Sequence, residues 1–498
     1  MRQYFPDIET FRSAAAKHDL VPVYRQLLGD HLTPVTAFEV LCRDDHAFLL
    51  ESVVGGERIA RYSFIATSPS LVYECTAGSA AIYAGSGAPE ETESADPLDD
   101  LSKLLPKRRY FHAPGLPNFT GGLVGYAGYD TIRYYEGEKL NNPPKDDRHL
   151  PDLLFGLYLE LVIFDHVDKT IKVVANADLT RHPDVEVAYK DACRRIDELV
   201  QRLSQPPISK LGEIDPTQPL TLNFSSNLTR DQFEQAVLKG KEYIKAGDIF
   251  QFVPSQRLRV QSAAHPFDVY RALRIINPSP FMFYLKSPGC TLIGSSPEIL
   301  CRVMDGEVTS RPLAGTRKRG ATPEEDLALE KELLADPKER AEHIMLVDLH
   351  RNDIGRVAKI GTVKIDDVMS VERYSHVMHI TSNVTGQLED GMTAMDALRV
   401  SLPVGTVSGA PKVRAMQIID ELEPTRRGPY GGAVGYLDFA GNMDTCIALR
   451  TIVWKNGLYD VQAGAGVVAD SIPANEYEET MNKAKAMLKA VEIAEKGF

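Results

Sequence analysis

Apolar and polar residues alternate through much of residues 33–83, where short runs such as TAFEVLC (36–42) and LVYECTA (71–77) are separated by turn residues. A period of two marks half-buried strands, so antiparallel strands are expected here. Residues 85–97 (GSGAPEETESADP) read as a polar loop, and strand character returns from Leu153 to Val174. The period then lengthens, predicting a helix from about Asp184 to Leu203. Residues 205–219 (QPPISKLGEIDPTQP) combine proline and polar residues without periodicity and read as a boundary or an exposed connection.

The second half opens on a well-marked helix. Thr229 and Gln232 have capping-box spacing, Phe233, Val237 and Ile244 supply an apolar face, and Gly247 ends it. Strands are expected at 249–260 and 281–302. Thr322, Pro323 and Glu325 then mark a helix start with a second capping box. Asp336-Pro337 breaks that helix and begins another, reaching about Asp353. A long helix from about Pro473 to Glu495 closes the pattern. One sequence echo stands out: GGLVGY (121–126) recurs as GGAVGY (431–436). Glycine inside a strand marks a close approach; the first copy reads as tight sheet contact, the second as a ligand wall.

Composition narrows the picture. With 498 residues, 43% of them hydrophobic, the chain can form two ordinary domains or one large elaborated one. The net charge of −13, with no local Lys/Arg-rich stretch, argues against a nucleic-acid surface but leaves room for a positive pocket. The segment MRQYFPDIETFRSAAAKHDL has no uninterrupted apolar core, and no apolar run approaches the roughly 20 residues of a membrane span. Six scattered cysteines without a CxxC pair suit a reduced, cytoplasmic protein.

Candidate chemistry begins with carboxylates. In the 337–350 helix, Glu342 shares a face with Met345, Leu346 and Leu349, and a carboxylate on an apolar face costs several kcal/mol unless a cation or hydrogen bonds compensate. In the last helix an apolar stripe of Tyr477, Met481, Ala484, Leu488 and Val491 runs beside a face holding Glu476, Glu479 and Lys483. Glu479 with Lys483 reads first as an i, i+4 surface pair. Carboxylates without a cysteine or histidine cluster suit a hard cation such as Mg2+. The run Gly405–Lys412 (GTVSGAPK) could hold an anion at a helix start, as could Gln462–Gly466, or either could be a tight turn. The first run is not a P-loop, because GxxxxGK[ST] fails at every register. Arg450 could pair with a carboxylate in two-pronged fashion. His376 and His379 have HxxH spacing, but strand alternation turns only His379 inward, which favours an acid–base role over metal binding. Glu298, in GSSPEIL, reads as a turn carboxylate or a general acid.

Six runs taken together, GSSPE (294–298), RPLAGTRKRG (311–320), AEHIMLVDLHRNDIGRV (341–357), GTVSGAPKVRAM (405–416), GPYGGAVGY (428–436) and AGAGVVADSIPANEYEETMNKAKA (463–486), resemble the chorismate-utilising enzymes. The N-terminal run FLLESVVGGERIARYSFIA (48–66) resembles the tryptophan-sensing segment of the amino-transferring members. The resemblance implies an α/β (α+β) fold with an antiparallel β-sandwich core and helices packed outside. It also implies an N-terminal lobe over 20–175 and a chorismate-binding catalytic domain over 225–490. Glu342 and Glu479 would bind Mg2+, with Glu476 close by. Gly315, Thr316, Tyr430, Arg450, Gly464, Gly466 and Lys483 would line the substrate. Glu298 would protonate the departing C4 hydroxyl as ammonia attacks C2, and His379 would assist elimination of pyruvate, with Thr406 near the reacting ring.

Two positions separate the members. Water-adding relatives carry a lysine base where this chain has Gln251, and the amino-transferring relatives of folate synthesis carry lysine where it has Ala314 in PLAGT. Both point to anthranilate as product, in the first committed step of tryptophan synthesis; an aminodeoxychorismate synthase subunit is the alternative within enzymes, and a catalytically dead tryptophan-binding regulator the alternative outside them. None of the cysteines has a G-x-C-x-G setting, so a separate glutamine amidotransferase subunit is implied as ammonia source, in a cytoplasmic heterotetramer. The resemblance also implies feedback inhibition by tryptophan. The inhibitor's pocket would be Glu51, Ser52, the segment 277–282 with Pro280, Phe281 and Met282, and Val434 and Tyr436. The bland reading of LLES is a buried strand end whose glutamate sits in a structural salt bridge.

Overall fold

Alternating segments come together as two large antiparallel sheets. The computed structural model describes residues 3–42, 44–53, 61–85, 87–105, 109–182, 184–206, 212–373 and 377–497. The first sheet has 11 strands, in the order Leu20–Leu27, Thr170–Asp178, Glu160–Asp165, Tyr62–Thr67, Ala47–Glu51, Phe281–Lys286, Thr291–Ser296, Thr451–Lys455, Leu458–Gly464, Ser255–Gln261 and Ser225–Ser226. The second has 12: Leu313–Lys318, Val377–Gln387, Glu307–Ser310, Ile299–Met304, Met443–Ile447, Ala433–Asp438, Gly122–Ala127, Leu153–Tyr158, Leu71–Thr76, Ser79–Tyr83 and Glu90–Glu93, with Lys364–Arg373 paired to Val377–Gln387. Each sheet takes strands from both 20–178 and 225–464: Glu51 lies opposite Met282 in the first, and Tyr126 opposite Val434 in the second.

The period of two sorts side chains between layers. Phe283, Leu285 and Leu292 join Phe48, Tyr126, Leu154, Val434 and Val453 in the layer between the sheets. Their neighbours Met282, Tyr284 and Ile293 face outward, onto Phe38, Ile196, Tyr270, Leu488 and Val491 of the covering helices. The outer face of the second sheet is closed by Leu98, Leu101, Ile354 and Leu398. This is the sandwich with external helices that the sequence resemblance implied.

The glycine echo has a direct structural meaning, because the two copies are neighbouring strands with Gly125 opposite Gly435. A Cβ at Gly125 would sit 1.9 Å from the Leu154 carbonyl oxygen, and one at Gly435 2.0 Å from that of Asp444. At Gly432 it would meet the Ala127 carbonyl at 2.2 Å. Strand packing therefore accounts for the glycines of the second copy as well as those of the first.

The helices predicted from caps form where expected. Val185–Leu203 starts on Asp184, Arg230–Ala246 on the Thr229–Gln232 box and stops at Gly247 (φ 86°), and Pro337–Gly355 starts on Asp336. Pro323–Ala335 starts on Thr322, but the Glu325 carboxylate accepts from the Ala321 N–H (2.8 Å), one residue further out than in a capping box. Two expectations fail. TAFEVLC is mostly helix, Pro34–Leu41, because Thr33 caps it and Pro34 pre-sets its first turn, so Ala37, Phe38, Val40 and Leu41 are buried. The polar loop at 85–97 contains the strand Glu90–Glu93, an exposed edge whose carboxylates discourage further pairing. Residues 205–206 and 212–219 run along the surface, and 207–211 lie outside the described residues. Among the described residues no helix is long and apolar enough to cross a membrane.

Candidate active site

At two adjacent places the chain passes from one sheet to the other. After Thr291–Ser296 it enters the second sheet at Ile299, and after Met443–Ile447 it returns to the first at Thr451. Glu298 sits on the first crossover and Arg450 on the second. The crossovers are tied together: the Ile447 N–H donates to the Glu298 carbonyl (3.0 Å) and the Ser295 N–H to that of Arg450 (3.1 Å). Arg450 adopts φ 47°, left-handed backbone that costs a non-glycine residue roughly 1–2 kcal/mol. It stands in the crossover, beyond the end of its strand. Such strain persists only where the surroundings impose it.

Glu298 is 6% exposed. Burial raises its carboxyl pKa, and the cations of Arg450 and Lys483 with the Thr406 hydroxyl offset this only partly, leaving it at about 7. Near neutrality it is therefore a proton donor. Thr406 lies in the turn Gly405–Val407, its Oγ1 buried and without a hydrogen bond of ordinary length.

His379 faces away from Met378 and Ile380, which pack on Leu333 of the helix Pro323–Ala335. Its Nδ1 lies 3.0 Å from the Gly315 carbonyl and 3.1 Å from Thr316 Oγ1. Gly315 supplies that carbonyl from an irregularity in its strand, at φ 66°. Burial, followed by the cations of Arg450 and Lys483, outweighs the hydrogen bond to Gly315 and pushes the imidazole down to about 4. Assigned from that hydrogen bond, the neutral ring carries its proton on Nδ1 and its lone pair on Nε2. His376 lies outside the described residues.

The carboxylates converge from two helices. The buried stripe of Pro337–Gly355 is His343, Leu346, His350, Asp353 and Ile354, with Glu342 half-buried at its margin beside Met345 and Leu349. Gln251 Nε2 donates to Glu342 Oε1 over a long 3.4 Å. Burial raises the Glu342 pKa, and the charges of Glu339 and Glu479 raise it further. Glu476 is raised by burial and by Glu479. Glu342 and Glu479 thus share one electrostatic neighbourhood. Glu479 also forms the i, i+4 pair with Lys483 (2.7 Å, both about half exposed), and Lys483 Nζ donates to the Gly464 carbonyl at 3.0 Å. Among the described residues no three His, Cys, Asp or Glu side chains close on one point as a ready-made metal cage. The donors present are oxygens that repel one another, and the Gln251 Oε1 beside them is buried without a partner. A hard cation that keeps water and substrate oxygens as ligands fits that set.

Small residues wall the space between these groups. A Cβ at Gly464 would lie 2.9 Å from the Pro254 carbonyl and 3.0 Å from the Tyr430 hydroxyl. One at Gly466 would lie 2.8 Å from Gln251 Nε2 and 3.9 Å from Glu342 Oε1. Tyr430 is buried, and burial raises its phenol to about 12, so it stays a donor. The run Gly405–Lys412 is a tight turn: Ser408 N–H donates to the Gly405 carbonyl (3.2 Å), and Lys412 is tied to Asp353 (2.9 Å). Glu339, one turn before Glu342, is a residue that sequence reasoning missed, although the i−3 spacing could have found it.

The N-terminal segment 48–66 is tied to the first crossover: the Val53 N–H donates to the Ser279 carbonyl (3.2 Å), and Ser279 Oγ donates to the carbonyl of Ser296, two residues before Glu298. Glu51 is 5% exposed, and its carboxylate accepts from Tyr270 Oη (2.6 Å) and from Arg274 Nε (3.0 Å). Ser52 Oγ is buried without a hydrogen-bond partner. Phe281, Val434 and Tyr436 face the layer between the sheets, whereas Met282 points outward; Pro280 is half-buried just before that strand. Residues 54–60 of the segment lie outside the described residues.

Acid, base and two cations converge where the chain crosses between the sheets, which equips the site for acid–base chemistry on an anion. The sequence pattern of the chorismate binding enzymes matches residues 46–489, and the chain belongs to that family. Within it, the chain is 49% identical to anthranilate synthase component 1 of Acetivibrio thermocellus over 99% of both chains, and 48% identical to that of Pseudomonas aeruginosa over 98% of both. The crystal structure of anthranilate synthase component I from Streptococcus pneumoniae TIGR4 is similar with a TM-score of 0.78 at 39% identity, covering 93% of this chain and 98% of that one. The chain is accordingly an enzyme of the anthranilate synthase component 1 group.

Proposed function

We propose that the chain converts chorismate and ammonia to anthranilate, pyruvate and water, as a step of tryptophan synthesis. The observation that carries this reading is the pair formed by Glu298, protonated up to about pH 7, and neutral His379, both facing Arg450 and Lys483. Arg450 holds the enolpyruvyl carboxylate, and Gly464, Gly466 and Tyr430 shape the wall against which the ring lies. Glu298 gives its proton to the C4 hydroxyl, which departs as water while ammonia bonds to C2. His379 Nε2 then takes the C2 proton, and the C3–O bond breaks with its electron pair on the departing enolate. The C2 ammonium gives up a proton, and the enolate takes a proton at its methylene carbon to leave as pyruvate as the ring becomes aromatic.

Glu342 and Glu479, with Glu476 near, would hold Mg2+. That ion would neutralise the ring carboxylate of the substrate. Gln251 in place of a basic residue beside Glu342 supports ammonia over water as nucleophile, and Ala314 supports completion to anthranilate. Ammonia comes from a glutamine amidotransferase partner subunit, for which no cysteine of this chain is placed. All six cysteines are free thiols, which suits the cytoplasm.

Tryptophan inhibits by occupying the space beside Ser52, Phe281, Val434 and Tyr436. The Glu51 carboxylate is held on the helix-covered face of its strand by Tyr270 and Arg274, the structural salt bridge of the alternative reading, so the inhibitor's ammonium would meet the main chain at Glu51 and Ser52 rather than that carboxylate. Tyr430 lies three residues before the strand Ala433–Asp438 that carries Val434 and Tyr436, so an effector there bears on the substrate wall.

The test is the purified chain with chorismate, an ammonium salt and Mg2+, read by product fluorescence and mass. Anthranilate is expected, abolished by EDTA. Accumulation of aminodeoxychorismate, or turnover indifferent to EDTA, would contradict the reading. For the effector, Ser52→Phe should weaken tryptophan inhibition, and equal inhibition of variant and parent would remove Ser52 from that pocket.

A further inference from the structure

The GSSPE run carries two serines that the reaction above leaves without a task. Ser295 and Ser296 are fully buried at the end of their strand, immediately before the crossover that bears Glu298. Ser295 Oγ donates to the Asn277 carbonyl and accepts from Asn277 Nδ2 (3.1 Å). The main-chain N–H of the same serine donates to the carbonyl of Arg450, the residue in left-handed backbone. Ser296 serves the other crossover: its carbonyl accepts from Ser279 Oγ, and its own Oγ accepts from the Glu298 N–H over 3.4 Å. Ser279 is 2% exposed, and its carbonyl accepts from the Val53 N–H at 3.2 Å. One short loop, 277–279, following the helix Pro266–Ile276, is thereby joined to both charged groups of the site.

The physical consequence lies in the backbone. A non-glycine residue at φ 47° relaxes to negative φ when its carbonyl is not held, and relaxation would swing the Arg450 guanidinium. One anchor of that carbonyl is the Ser295 N–H, and Ser295, itself fully buried, is fixed by exchanging two hydrogen bonds with Asn277, since unpaired polar groups are disfavoured there. The same reasoning applies to Glu298, whose first peptide is set by Ser296 and, behind it, Ser279.

We propose that Ser295 and Ser279 are positioning residues for opposite ends of the reaction. Ser295, with Asn277, sets Arg450 against the substrate carboxylate; Ser279, through Ser296, sets Glu298 against the leaving hydroxyl. The inference rests on the roles given above to Arg450 and Glu298.

The experiment measures kcat and KM for chorismate with saturating ammonium and Mg2+, together with the melting temperature of each variant. Ser295→Ala and Asn277→Asp should raise KM about tenfold with kcat within about twofold of the parent, because only the carboxylate contact is displaced. Ser279→Ala should lower kcat about tenfold with KM little changed, and Ser279→Cys, which keeps a weak donor, should fall between it and the parent. Asn277→Asp alters a half-buried side chain and reports on the first link even where Ser295→Ala does not fold. Arg450→Lys and Glu298→Gln serve as references. Parent kinetics in all the loop and serine variants while both references are impaired would overturn the inference. So would equal losses in kcat and KM that track the melting temperature. Parent kinetics in the references themselves would instead overturn the reading of the site.

Discussion

At the scale of single residues, the same two cations act in opposite senses on the acid and the base. Arg450 and Lys483 favour ionised Glu298 and so oppose its burial, which stops the rise at about 7; they disfavour protonated His379 and so add to its burial, giving about 4. Glu298 works protonated and His379 works neutral. Activity is therefore expected between these limits: kcat/KM falls as pH rises through about 7, where Glu298 ionises, and falls again as pH drops towards about 4, where His379 gains a proton. Glu298→Gln should lower kcat by about 10²–10⁴-fold, and the residual activity should lack the alkaline limb. A pH–rate profile of parent and variant checks this, and an unchanged limb near 7 in the variant would remove Glu298 as its source. Glu298, His379, Arg450 and Lys483 are each legible in the sequence as candidates, but the sharing of the two cations between acid and base is not, because that requires knowing which side chains face each other.

At the scale of elements, the helix Pro337–Gly355 shows what a pattern reveals and what it hides. Asp336 and Pro337 announced its start, and the spacing of Met345, Leu346 and Leu349 its existence. Its most buried stripe contains His343 and His350, which polarity alone places outside a core. His343 Nε2 bonds Ser382 Oγ at 2.7 Å and His350 Nδ1 bonds Ser310 Oγ, so burial is compensated on one nitrogen of each ring. Burial pushes them down to about 4 and about 3. Both folded-state values lie below the unfolded value near 6.5, so below that pH the unfolded chain binds more protons. Their contribution to stability is complete above about 6.5 and is lost as pH falls through about 4 for His343 and about 3 for His350. The melting temperature should decline across that window, and His343→Asn should decline less; parallel curves would contradict this. The helix Pro34–Leu41 was misread for a different reason. Its eight residues fit both periods, and only the Thr33 cap with Pro34 decides between them.

At the scale of the whole molecule, the alternation foretold strands but not their partners. Gly125 faces Gly435 and Glu51 faces Met282 across long stretches of chain, and no local period encodes such pairings. The crossovers that bring Glu298 beside Arg450 follow from those pairings, so the pattern marks Glu342 on its own helix but neither the crossovers nor the approach of Glu479, which only the resemblance implied. Close sheet contact also makes a prediction. Gly435→Ala, whose Cβ would lie 2.0 Å from the Asp444 carbonyl oxygen, should cost several kcal/mol or prevent folding. Gly441→Ala, in open space at φ 89°, should cost only about 1–2 kcal/mol. Denaturant unfolding compares the two, and equal stability would argue against the close approach. In the function proposed above, the last helix, Pro473–Lys496, and Pro337–Gly355 would together present Glu479 and Glu342 to one divalent ion. Calorimetric titration of Mg2+ into the chorismate-bound chain tests it most directly. Saturable binding is predicted for the parent and its loss in both Glu342→Gln and Glu479→Gln, with the fold intact by circular dichroism. Undiminished Mg2+ affinity in either variant would contradict the account.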